Sequence, residues 1–246
     1  MSTLMIKTFH ALGFAVYAFG IYYSEVHLDI PQRNPKHKMF GRYKYLTHWN
    51  LMLQGAMFTL FCIIDFAPLR EKRKLQKFRD HTFLSLSLPT CIFVSTFFWG
   101  LYIFDRELIF PKQLELYYPA WLNHLSHTAI IVFALIELSL YYHVQPSRKD
   151  GFVTVLGLVT SYVGWLMYLG LRHGIWVYPV LEVLSPVFLM IFMVVSILLL
   201  FGCYMITEKM NHFFWREYLF FGRSFLTPGS SSKTKRIRAW VTPENT

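Results

Sequence analysis

Ten histidines occur in this chain, and the neighbours of three of them frame the chemistry open to it. His124 and His127 stand three residues apart in Asn123-His124-Leu125-Ser126-His127, so on a helix they share a face. That spacing suits two metal ligands, or one general base with a helper. A second segment places a hydroxyl beside an imidazole at Thr47-His48. Thr47 is internal and has no α-amine of its own to act as base. An imidazole, with an ordinary pKa of about 6.5, is the natural acceptor for its proton. Thr47 is thus one candidate nucleophile, and His127, on a helix that could face it at a similar depth, a candidate base. His48 lies about 100° around the helix from Thr47 and reads as a packing or interface residue. Glu137 follows His127 by ten residues, about 15 Å along a helix, too far to orient its ring. The same side chains also have plain structural uses, since membrane Thr and His residues often bond a backbone carbonyl or a neighbouring helix.

The metal alternative is a mononuclear zinc hydrolase using His124, His127 and His173, three ligands that leave a position for water. A di-iron centre would need several clustered histidine boxes, and the chain has one His-x-x-His. Its three cysteines form no CxxC pair, and no phosphate loop or G-x-S-x-G elbow is present. The expectation is a site with no metal and no cofactor.

The elements that must position these groups are membrane helices. Of the 246 residues, 54% are apolar and 15% charged, against about 25% charged in ordinary soluble domains. Uncharged stretches run Thr8–Ser24, Tyr45–Ile64, Thr82–Phe104, Leu116–Ile136, Gly151–Leu171 and Val183–Thr207. A helix needs about 20 apolar residues to cross the hydrocarbon core, and none of the stretches alternates as a membrane β-strand would. The expected fold is all-α, a polytopic membrane protein with six transmembrane helices. The first segment, rich in aromatics and lacking a small-x-small cleavage site, reads as a retained helix.

Of the 24 Lys and Arg residues, 16 fall on the side of the termini and 8 on the other, which predicts cytoplasmic termini. The +10 net charge is thus a topology signal with some attraction to anionic lipid, not a nucleic-acid footprint. Residues 1–215 read as one membrane domain. Residues 222–246, with Lys233, Lys235, Arg236 and Arg238, read as a disordered basic tail in the cytoplasm. The expected setting is a multi-pass protein of the endoplasmic reticulum or plasma membrane, with membrane lipids and a lipid substrate as partners and no nucleic acid.

With this topology Thr47, His48, Asn123, His124 and His127 share the exoplasmic leaflet, beside loops carrying Arg106, Lys112, His173, Trp176 and Tyr178. Intramembrane polar groups are costly and point to function. The other leaflet holds Glu137 and Asp65, and no comparable cluster is expected there. Asn123 and His124 are candidates to steady an oxyanion or His127. Arg106 and Lys112 could pair with a substrate carboxylate at the mouth, with Trp176 and Tyr178 lining it.

Several motifs follow one another in a telling order. They are Tyr43-Lys44-Tyr45-Leu46-Thr47, Asp105-Arg106-Glu107-Leu108-Ile109-Phe110-Pro111-Lys112, Trp121-Leu122-Asn123-His124-Leu125-Ser126-His127, Pro146-Ser147-Arg148, and Gly174-Ile175-Trp176-Val177-Tyr178-Pro179. Across roughly residues 10–215 the chain resembles the androgen-induced-gene family. The resemblance implies an atypical multi-pass threonine hydrolase cleaving fatty acid esters of hydroxy fatty acids. It places the family's catalytic Thr on Thr47 and its catalytic His on His127. The chain departs from the pattern at Tyr43, where members often carry Trp, at Gln145, where Tyr precedes Pro-Ser, and in the longer tail. A non-enzymatic membrane scaffold or lipid sensor is the alternative of a different class, with the same polar residues merely joining helices.

Overall fold

The computed structural model describes residues 3–30 and 38–224. Most of the expected basic tail, 225–246, lies outside the described residues. Helices are α1 (Thr3–Val26), α2 (Leu46–Phe66), α3 (Leu69–Thr82), α4 (Leu88–Asp105), α5 (Ala120–His124), α6 (Ile130–Leu140), α7 (Arg148–His173), α8 (Pro179–Val183) and α9 (Pro186–Ser224). No strand occurs among the described residues. Two π-helical turns join neighbours into continuous rods, Phe83–Ser87 between α3 and α4 and Leu125–Ala129 between α5 and α6. Six of the resulting rods are long and apolar enough to cross a membrane. The protein is a multi-pass, all-helical membrane protein, as lipid requires of a backbone with no water to satisfy it.

Prolines set the boundaries where hydropathy alone misplaces them. The fourth span does not begin at Leu116: Lys112–Leu116 forms its own 3-10 turn, and the helix starts at Ala120 behind the N-cap Pro119. Proline disfavours helix in the residue before it. For the same reason the last long helix begins at Pro186, and the expected start at Val183 is the end of short α8. The third rod extends back to Leu69 through the charged α3, beyond the uncharged stretch. Ser147 caps α7 by accepting from the Asp150 N–H, and Gly174, at φ 66°, ends it, a left-handed turn that glycine adopts without strain.

α1 and α2 pack along much of their length around Tyr17, Phe58 and Phe61, all buried. A side chain in place of Gly20 would collide with Leu125, so this glycine lets α1 close against the π turn that carries His127. By contrast, α9 turns a largely apolar surface outward, including Met190, Val194 and Leu198, as a lipid-facing helix does.

The face that holds the N-terminus carries an ionic network, correcting the expectation that polar residues gather in one half alone. His10 Nδ1 is 2.8 Å from Asp65 Oδ2, and its Nε2 is 2.9 Å from Glu137 Oε2. His143 Nδ1 is 2.9 Å from Asp80 Oδ1, and its Nε2 is 3.4 Å from Glu137 Oε1. Arg79 donates to Asp80 at 2.6 and 2.8 Å. Asn211 on α9 donates to the His143 carbonyl at 3.0 Å. Residues far apart in sequence thus tie α1, α2, α3, α6 and α9 together.

Candidate active site

Thr47 is the second residue of α2, just past the N-cap Tyr45. An α-helix cannot satisfy the N–H groups of its own first turn. Here the Leu46 N–H is met by two phenols, Tyr162 and Tyr178, each at 3.1 Å. The two hydroxyls are 3.1 Å from each other, and the Tyr162 hydroxyl lies 3.2 Å from the Lys44 carbonyl. This belt of phenols fixes the start of α2, and with it the direction of the Thr47 side chain. Tyr178 also lines the same cavity as Thr47. Burial pushes the Tyr178 phenol above its usual range, so it is a neutral donor.

His127 sits in the π turn Leu125–Ala129. Such a turn carries i→i+5 hydrogen bonds and shifts the side chains it holds relative to a regular helix, and it recurs at functional sites. Its imidazole Nδ1 is 2.9 Å from the Asn123 carbonyl. A carbonyl can only accept, so Nδ1 carries the hydrogen and the neutral ring presents its Nε2 lone pair. That lone pair faces Thr47: the hydroxyl donates to Nε2 at 3.3 Å. The ring is also clamped by Phe98, stacked with centroids 3.5 Å apart and planes 14° from parallel. His127 is 6% exposed. The arrangement is a hydroxyl, a base in a defined tautomer, and a third group that orients the base, the general pattern of an activated nucleophile.

Both residues line a cavity of about 1280 Å³, larger than the roughly 300–1,000 Å³ typical of small-molecule sites. Its deep wall is apolar, with Leu51, Phe93, Val94 and Phe97. Towards the face opposite the N-terminus it is bordered by Arg42, Glu107 and Glu182. Apolar depth and a charged mouth suit an amphiphile with a long chain and a polar end.

The remaining sequence candidates divide sharply. Trp176 and Tyr178 line the cavity. Asn123 steadies His127 through its backbone carbonyl, not its side chain. His124 points elsewhere, into a separate apolar groove with Phe19 and Trp121, where its ring lies 3.2 Å from the Thr128 hydroxyl and stacks on Trp99. His173 packs edge-on to Phe40 and Tyr168. The triad His124, His127 and His173 is therefore not assembled, and among the described residues no group of three or more His, Cys, Asp or Glu side chains is arranged to hold a metal ion. Arg106 is paired with Glu115 at 2.7 Å, and neither it nor Lys112 lines the cavity. His48, expected as a packing or interface residue, is buried, borders the cavity and lies 3.2 Å from Glu25.

Sequence reasoning missed Phe98, Tyr162 and Arg42. Phe98 and Tyr162 sit in uncharged runs, where an aromatic reads as packing. Arg42 reads as one more loop charge.

A family model described as FAR-17a/AIG1-like protein matches residues 5–212. The androgen-dependent TFPI-regulating protein of Mesocricetus auratus is 38% identical over 214 residues, covering 84% of this chain and 91% of that protein. The androgen-induced gene 1 protein of Homo sapiens is 33% identical over 193 residues, covering 74% and 81%. A membrane protein of Schizosaccharomyces pombe is 28% identical over 131 residues, covering 52% and 58%. No solved structure matches the chain significantly.

Proposed function

This chain belongs to the FAR-17a/AIG1-like family, and on that premise we propose that it is an integral-membrane esterase with Thr47 as nucleophile and His127 as base. Its substrates are fatty acid esters of hydroxy fatty acids. The observation that carries the reading is the Thr47 hydroxyl 3.3 Å from a His127 nitrogen whose partner nitrogen is held by Asn123, at the wall of a lipid-sized cavity.

In the proposed first step the Thr47 oxygen attacks the ester carbonyl carbon while its proton passes to His127 Nε2. The 3.3 Å separation tightens as substrate enters, as apo catalytic bonds commonly do. The carbonyl electron pair moves onto oxygen. The Thr47 N–H, in the unsatisfied first turn of α2, and the Tyr178 hydroxyl are the proposed donors to that oxyanion. Collapse breaks the bond to the alkoxy oxygen, which leaves as hydroxy fatty acid with the proton from His127. Water, deprotonated by His127, then cleaves the Thr47 acyl ester. Throughout, the Asn123 carbonyl accepts from Nδ1 and favours the transient imidazolium, a task that a carboxylate performs in other hydrolases.

A hydroxyl-directed covalent probe and turnover of a branched fatty acid ester test the reading together. Wild type is expected to label and hydrolyse, and Thr47→Ala to do neither while still inserting in membranes. Hydrolysis surviving in Thr47→Ala would remove the nucleophile. Absence of both in wild type would favour a lipid-binding scaffold.

We further propose that both termini face the cytoplasm of the endoplasmic reticulum or plasma membrane, on the strength of the 16-to-8 basic asymmetry. A tag after Thr246 is expected to stay protected in intact cells, and glycosylation of an acceptor site placed there would reverse the orientation.

A further inference from the structure

An ester of a hydroxy fatty acid carries a free carboxylate, and this group needs a charged partner at the mouth of a cavity whose depth is apolar. Arg42 is the one Lys or Arg among the described residues that line that cavity. We propose that Arg42 is the carboxylate-binding subsite, holding the free acid end of the substrate while the ester carbonyl meets Thr47. This inference rests on the hydrolase reading for its substrate class, and on the cavity alone for its location.

The guanidinium is fixed and incompletely used. Its Nη2 donates to the Leu28 carbonyl at 2.9 Å. Its Nη1 lies 3.4 Å from Glu25 Oε2, too poorly aligned for a hydrogen bond, and is buried with no hydrogen-bond acceptor among the described residues. A guanidinium has five N–H donors in a planar fork that matches a carboxylate, and the Leu28 carbonyl uses one of them. The side chain is 23% exposed, so a ligand meets it partly stripped of water, where charge-assisted bonds are strongest.

The backbone brings Arg42 to this position at a cost. Phe40, at φ 62°, and Gly41, at φ 50°, take left-handed conformations in succession. They turn the chain into the short 3-10 segment Gly41–Lys44 that carries Arg42. A left-handed phenylalanine is strained, and such strain is retained where the position of a side chain matters. Arg42 and Tyr118 line the same cavity, and the Tyr118 hydroxyl lies 3.3 Å from Ser126, the residue before His127. The subsite and the catalytic turn therefore share one cavity.

Glu25 makes the exchange feasible. Its side chain is 35% exposed, so an incoming carboxylate can take the guanidinium while water still solvates Glu25. The acidic side chains of the wall, Glu107 and Glu182, repel a carboxylate and leave Arg42 as its destination. Arg106, already matched by Glu115 outside the cavity, is displaced from the role its sequence position suggested.

The test is equilibrium binding to the wild-type protein in detergent, with two ether-linked, non-hydrolysable analogues of the branched lipid. One ends in a carboxylate and the other in a primary carboxamide. The carboxylate is expected to bind about 10- to 100-fold more tightly, the effect of one charge-assisted pair. Arg42→Gln should erase that difference, Arg42→Lys should keep part of it, and Glu25→Gln should tighten binding of the carboxylate alone. Equal affinity of both analogues for wild type, or equal losses for both in Arg42→Gln, would overturn the subsite. If Arg42→Gln fails to fold, Glu25→Gln decides: unchanged selectivity overturns the proposal. Binding is read without turnover, so failure of the nucleophile assignment would appear separately, as hydrolysis by Thr47→Ala.

Discussion

The two halves of this membrane protein use histidine in opposite ways. On the face of the N-terminus, His10 places both ring nitrogens against carboxylate oxygens, Asp65 on one side and Glu137 on the other. His143 does the same with Asp80 and Glu137. Each ring is thus held between two carboxylates, with Arg79 beside Asp80. In the other half, His127 has a single fixed partner, the Asn123 carbonyl, a hydroxyl at its free nitrogen, and a ring of Phe98 across its face. One arrangement sets both ring nitrogens against carboxylates and so joins helices. The other leaves a lone pair next to a hydroxyl and a cavity. The difference teaches that burial and polarity alone do not mark a reactive histidine; an unspent ring nitrogen facing open space does.

The largest expected effect separates the halves outright. His127→Ala and Thr47→Ala are each expected to lower ester turnover by at least about a thousandfold, with the double variant hardly worse, because members of one catalytic unit fail together. Their melting temperatures in detergent should stay close to wild type. Glu137→Gln should do the reverse. It strips the central charge from a buried network, which costs about 3–5 kcal/mol when a partner is left unpaired. For a chain of this size that lowers the melting temperature by roughly 6 °C or more. Loss of turnover in Glu137→Gln with an unchanged melting temperature would place the network in the catalytic pathway and erase the contrast.

These expectations rest on contacts of very different legibility in the sequence. The six spans are legible because charge is expelled from hydrocarbon, a constraint that acts on every residue of a run. Thr47 and His127 are legible as candidates because each stands among other polar residues at helical spacing. The network is not legible: His10 and Glu137 are 127 residues apart, and each alone looks like a single polar interruption. The π turn is likewise invisible, since no residue type demands it, yet it sets the direction of His127. Arg106 and Lys112 stay outside the cavity wall for a related reason. Sequence position puts them at the correct face, but the Glu115 partner and the fold of the 3-10 turn at Lys112 decide where they point.

A middle-sized effect sharpens the reactive half. Tyr178→Phe removes one hydroxyl from the phenol belt while Tyr162 still meets the Leu46 N–H. If Tyr178 donates to the oxyanion, turnover should fall about a hundredfold, the scale for losing one such donor. A shift of binding alone, with the maximal rate intact, would restrict Tyr178 to holding α2.

The smallest effect is expected at His124, and it is the closest control for His127. The two residues lie three apart, but the π turn between α5 and α6 separates their surroundings. His124 faces an outer groove with Val16, Phe19 and Trp121, and its ring contacts Thr128 and Trp99. Trp99 keeps its own bond to Thr128, donated through Nε1 at 3.2 Å, so removing the imidazole leaves that contact standing. One route to the reactive half is through Trp99 to its neighbour Phe98, which packs edge-on against it and stacks on His127. A contact relayed through two rings transmits little, and substitutions away from buried networks stay within about 0.5 kcal/mol. His124→Ala should therefore leave turnover within about twofold of wild type. A loss approaching that of His127→Ala would mean that both imidazoles work on one substrate, and the π turn would no longer divide a reactive histidine from a packing one.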